Sequence, residues 1–102
     1  MEKFIKEIGN LIKKEFRAKE AILFGSFAKG ECTENSDIDI LVIMETKLKP
    51  YKQASLIRMR LDEKLGVKYP IDLIVRTPQQ IKRRLALGDF FLKSVLAKGI
   101  RL

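Results

Sequence analysis

Histidine is absent from the 102 residues, and cysteine occurs once, as Cys32. Without an imidazole there is no serine-histidine triad, no histidine-ligated zinc and no base to activate Cys32 as a nucleophile. A lone thiol cannot close an internal disulfide, so Cys32 reads as an incidental reduced cysteine. No apolar run approaches the length of a membrane span, and the charges of Met1-Glu2-Lys3-Phe4 are spaced too regularly for a signal peptide. The expected location is therefore the cytoplasm, with no membrane partner. No repeat, linker or low-complexity segment divides the chain. Its length allows one core and not two, so residues 1–102 are expected to form a single domain.

Acidic residues are the minority charge, 13 Asp and Glu against 21 Lys and Arg, for a net charge of +8. Such a balance favours an anionic partner: a nucleotide, a nucleic acid or an acidic protein surface. Aromatic side chains do not interleave with the basic ones as base-stacking platforms would require, which counts against nucleic acid as a direct substrate. The clusters Lys13-Lys14 and Lys82-Arg83-Arg84 fall within helical patterns, where a solvated face accounts for them. With imidazole and paired thiols missing, Asp and Glu are the metal ligands left, and oxygen ligands favour magnesium or manganese.

Hydrophobic spacing divides the chain into alternating elements. Phe4, Ile5, Ile8, Leu11, Ile12 and Phe16 predict an amphipathic helix from Glu2 to about Arg17. Ala21-Ile22-Leu23-Phe24 predicts a buried strand ending at Gly25, and Ile38 to Met44 a second strand of central character. Pro50 opens the next helix, whose stripe of Ala54, Ile57, Leu61 and Leu65 ends at Gly66. Ile71 to Val75 predicts a third strand. Thr77 and Pro78 then cap and begin a further helix, and a last helix follows Gly88. Gly99 to Leu102 suits a short terminal strand. This order argues for a small α/β or α+β sheet, with helices on one side.

Chemistry concentrates between the first two strands, in Gly25-Ser26-Phe27-Ala28-Lys29-Gly30 and Ser36-Asp37-Ile38-Asp39. Gly25 lets the backbone turn sharply and approach a ligand without a Cβ in the way. Ser26 can cap a short helical segment, and its hydroxyl and the nearby amides can face an anion. Lys29 can neutralise phosphate charge or simply be solvated. The spacing is not that of a Walker loop, and an ordinary strand-to-helix turn would use the same Gly-Ser pair. Asp37 and Asp39, two apart on a strand, project to one face, where their repulsion invites a divalent cation; a solvated strand end, with Asp37 a turn residue after Ser36, would carry the same pair. Asp72 interrupts an apolar strand where burial of a lone carboxylate is costly, so it needs a partner. That partner is Asp37 and Asp39 if the strands are neighbours, or a salt bridge to Arg76 or Lys68. Tyr51 and Tyr69 can stack on a base, though a tyrosine beside proline is equally a packing residue.

Taken together, Gly25-Ser26, Gly30, Ser36-Asp37-Ile38-Asp39 and the distal Asp72 resemble the nucleotidyltransferase superfamily related to DNA polymerase beta. More narrowly, the chain resembles the minimal nucleotidyltransferases (MNT) of HEPN/MNT toxin-antitoxin pairs. The resemblance implies a nucleotidyltransferase fold, a small mixed sheet flanked by helices. It also implies ATP as donor, two magnesium ions on Asp37, Asp39 and Asp72, and a triphosphate held by Gly25 and Ser26. The implied reaction is AMP transfer to a tyrosine hydroxyl of a partner HEPN-domain toxin, with this chain as antitoxin. Two other functions stay open: nucleotidyl transfer to a small molecule such as an aminoglycoside, and neutralisation by contact alone or nucleic-acid binding. Assembly into a homo-oligomer is left open as well.

Overall fold

The computed structural model describes residues 3–102. Met1 and Glu2, and with them the expected helix start at Glu2, lie outside the described residues. The elements follow the order α1 (Lys3–Glu15), β1 (Glu20–Phe24), α2 (Gly25–Lys29), β2 (Ile38–Ile43), α3 (Pro50–Leu65), β3 (Ile71–Arg76), α4 (Pro78–Ala86), α5 (Phe90–Lys98) and β4 (Ile100–Arg101). Their order is the one expected from the sequence, with α2 the short helical segment after the first strand that hydrophobic spacing does not mark. Pro50 sits in the first turn of α3, and Gly66 ends that helix in the left-handed region at φ +57°. Thr77 caps α4 through a reciprocal capping box with Gln80.

The four strands form one mixed sheet in the order β3-β2-β1-β4. β1 runs antiparallel to β2, β2 parallel to β3, and β4 antiparallel to β1. The β2 to β3 connection passes through α3, as a parallel pair requires. Central strands are buried on both faces, which explains the continuous apolar run of β2.

Helices cover both faces, not one as the alternation suggested. On one face Leu23, Ile40, Val42 and Val75 pack with Ile5, Ile8 and Ile12 of α1 and Ile57 and Leu61 of α3. On the other, Ile22, Leu41 and Ile43 pack with Ile81 of α4 and Leu92 and Val95 of α5. The reason lies in the strands: alternate side chains of β1 and β2 point to opposite faces and nearly all are apolar, so each face needs its own cover.

Close approach of α5 to β1 depends on Gly99. A Cβ there would collide with Ile22 and with the Val95 carbonyl. α5 thereby lies against the end of β1 that leads into Gly25.

Candidate active site

Strand register assembles the site. Phe24 of β1 pairs with Asp39 of β2, and Asp39 pairs with Asp72 of β3. This row of three lies at one end of the sheet, on the face that carries α4 and α5. The Ile38 amide donates to the Pro70 carbonyl at 2.8 Å, which pins β2 to β3 at the same end. Asp39 and Asp72 are thus neighbours across strands although 33 positions separate them in sequence.

Gly25 follows Phe24 directly and adopts φ +73°. A Cβ at this position would run into the Asp39 carboxylate, with Oδ2 the nearest atom and Cγ at 3.2 Å. The glycine is therefore required twice, once by its backbone angle and once by the carboxylate lying over it. Burial raises the pKa of Asp39 above its ordinary value, and the negative charges of Asp72 and Asp37 push it the same way. Asp39 therefore lies within electrostatic reach of both other expected acids.

Two placements differ from expectation. Asp37 lies just before β2, which begins at Ile38; it is exposed at the end of a loop closed by the Ser36 hydroxyl, which accepts the Thr33 amide at 2.7 Å. Asp72 is exposed and not buried, because β3 is the edge strand of the sheet. It forms no salt bridge with Arg76 or Lys68 among the described residues. The Arg76 guanidinium instead donates to the Val75 carbonyl at 2.8 Å.

Ser26 does not cap α2. The helix begins at Gly25 and Phe24 occupies the cap position, so Ser26 falls in the first turn, where amides lack helical acceptors. Its carbonyl accepts the amides of Gly30 and Glu31, and its hydroxyl has no partner among the described residues. Lys29, exposed at the end of α2, borders a cleft of about 240 Å³ together with Phe24, Gly25, Phe91, Ser94 and Lys98. Phe91 meets Phe24 edge-on with centroids 5.4 Å apart. Phe91, Ser94 and Lys98 were not legible as site residues, since they come from α5 and carry no motif. Tyr69 is a packing residue, stacked on Phe4 at 5.4 Å and edge-on to Phe27 at 5.6 Å.

The donor set suits a hard divalent cation: carboxylate oxygens only, with a repulsion that a cation would relieve. Among the described residues no group of three or more His, Cys, Asp or Glu stands close enough to hold a metal ion as it is. The fit is thus one of residue type and register, with two of the three acids exposed.

A family described as nucleotidyltransferase domain matches residues 2–102. The chain belongs to the nucleotidyltransferase domain family. Among curated relatives, a candidate protein adenylyltransferase of Methanocaldococcus jannaschii is 54% identical over 44 residues, covering 41% of this chain and 44% of that protein. A second candidate protein adenylyltransferase of the same organism is 40% identical over 67 residues, covering 65% of each chain. The matches therefore span between 44% and 65% of these relatives' length. A solved structure of a candidate minimal nucleotidyltransferase superimposes with a TM-score of 0.64 at 24% identity, covering 97% of this chain and 92% of that one. A toxin-antitoxin crystal structure with AMP-PNP gives a TM-score of 0.57 at 24% identity, covering 90% of this chain and 69% of that one. Both share the small mixed sheet flanked by helices.

Proposed function

We propose that this nucleotidyltransferase-family chain transfers AMP from ATP to a hydroxyl of a partner protein. The acceptor is a tyrosine of a HEPN-domain toxin, which makes this chain its antitoxin. The observation that carries the reading is the cross-strand pair Asp39 and Asp72 beside Gly25, whose positive φ and contact with the Asp39 carboxylate favour glycine. The curated relatives' names as protein adenylyltransferases support the reaction class. The toxin-antitoxin neighbour with AMP-PNP supports the nucleotide and the kind of partner.

In this reading the acceptor oxygen attacks the α-phosphorus of ATP, a new phosphorus-oxygen bond forms, and pyrophosphate leaves with the electron pair of the broken bond. Magnesium, held by Asp37, Asp39 and Asp72, would neutralise triphosphate charge and activate the attacking oxygen when bound. Asp72, exposed at the sheet edge, is reachable by an acceptor hydroxyl and serves as the group that takes its proton. Gly25 and Ser26 receive the triphosphate, the free Ser26 hydroxyl donating to it. Lys29, with Lys98 across the cleft, supplies positive charge to its length.

One observation favours a second reading, neutralisation of the partner by contact alone: no three acids are clustered tightly among the described residues. A single experiment separates the two. The purified chain is incubated with magnesium, ATP labelled at the α-phosphate and a candidate HEPN-domain partner, then analysed by intact mass. Addition of AMP to the partner, absent for Asp37→Asn, supports transfer. Neutralisation that survives the triple Asp37→Asn, Asp39→Asn, Asp72→Asn variant, with no mass gain, refutes it in favour of contact.

A further inference from the structure

The elbow between α4 and α5 exposes two large apolar side chains, Leu87 at 80% and Phe90 at 83%. Apolar residues exposed singly need no explanation, but these lie three positions apart across one turn, and Phe91 after them is exposed at 46%. The elbow is also an ordered one. Gly88 turns the chain at φ +83°, Asp89 caps α5 by accepting the Leu92 amide at 3.0 Å, and Arg84 approaches Asp89 at 3.8 Å. These contacts hold the backbone of the turn that carries this apolar knob, so binding there costs little main-chain freedom.

Beside the knob lies a groove of about 410 Å³ with Arg76, Arg83 and Arg84 among its walls and Leu87 at its rim. Apolar centre and arginine border together describe the surface that would fit them: acidic side chains around an apolar patch, the carboxylates taken by planar guanidinium groups. A second copy of this chain is a poor occupant, because each carries a net charge of +8. Nucleic acid is less suited than protein, because Leu87 offers no π face and no aromatic side chain among the described residues lines the groove.

The knob is also continuous with the candidate active site. Phe90 is followed by Phe91, which packs edge-on against Phe24, and Phe24 leads directly into Gly25. A protein seated on the elbow therefore touches α5, the helix that walls the cleft beside Gly25, while the groove's Arg76 lies at the opposite end of β3 from Asp72. We propose that Leu87 and Phe90, with Arg76, Arg83 and Arg84, form the docking surface for an acidic protein that presents the acceptor hydroxyl. This proposal rests on the protein-acceptor reading given above and names where that protein binds.

The test uses the full chain and defined probes, read by fluorescence anisotropy. The first probe is a labelled amphipathic helical peptide with glutamates on one side and leucine and phenylalanine on the other. The controls are its twin with lysines for the glutamates, and a single-stranded oligouridylate of the same charge as the acidic peptide. The acidic peptide is expected to bind and the lysine twin not to bind. Its affinity should fall at least about tenfold for Leu87→Ser with Phe90→Ser, and similarly for Arg83→Glu with Arg84→Glu. Since all four side chains are exposed, circular dichroism should show both variants folded. Equal affinity in variants and wild type overturns the proposal, as does no binding, tighter binding of the oligouridylate, or self-association that Phe90→Ser abolishes. Docking and chemistry are told apart by the triple aspartate-to-asparagine variant, which should bind the peptide as wild type does. If wild type transfers AMP to no protein while the elbow still binds, the adenylyltransferase reading fails and the docking surface stands.

Discussion

Gly25→Ala separates the backbone's role at the site from its role in the fold. The new residue inherits φ +73°, a left-handed conformation that costs an L-residue about 1–2 kcal/mol. Its Cβ also enters the space of the Asp39 carboxylate. The atom struck is the free end of a side chain, so the carboxylate swings aside and the backbone stays where it is. Stability therefore falls by the conformational cost alone, about 1–2 kcal/mol. The proposed AMP transfer should suffer more, because displacing a positioned catalytic group by about 1 Å costs on the order of 100-fold in rate. Gly66→Ala is the matched control: φ there is +57° and a Cβ would meet nothing within 4 Å. Urea denaturation should give similar losses for the two variants, while AMP transfer followed by intact mass should fall only for Gly25→Ala. Retention of transfer by Gly25→Ala at the Gly66→Ala rate would refute the link between this glycine and the placement of Asp39.

Three further outcomes are expected. Asp72→Asn should abolish AMP transfer yet leave unfolding free energy within about 0.5 kcal/mol of wild type, since the side chain is exposed on an edge strand; an unchanged transfer rate removes Asp72 from catalysis. Asp39 has a raised pKa in the fold, so without divalent cation its contribution to stability is present below the ordinary aspartate pKa of 3.8 and is lost as pH rises through the raised value. Urea titrations across that acidic range should show Asp39→Asn gaining on wild type as pH rises, and the opposite slope would contradict the burial and charge repulsion invoked here. Thr77→Ala removes one half of the α4 capping box and should cost about 1 kcal/mol in denaturation with no change in transfer rate.

The identity and order of the elements were readable because each carries its own local signal. The 3.6-residue stripe of α1, the proline and glycine that bracket α3 and the Thr77-Pro78 start of α4 are decided by near neighbours in sequence. Asp39 and Asp72 were readable for a similar reason: a carboxylate inside an apolar strand stands out from its sequence neighbours. Tertiary structure alone decided what those signals add up to. That β3 lies at the edge, leaving Asp72 in solvent, follows from strand order, which no single strand encodes. Coverage of both sheet faces follows from where α4 and α5 come to rest. Phe91 and Lys98 join Gly25 at one cleft because Gly99 admits α5 against β1, a contact between segments far apart in the chain. Local chemistry determined which residues could act, and long-range packing determined which of them meet.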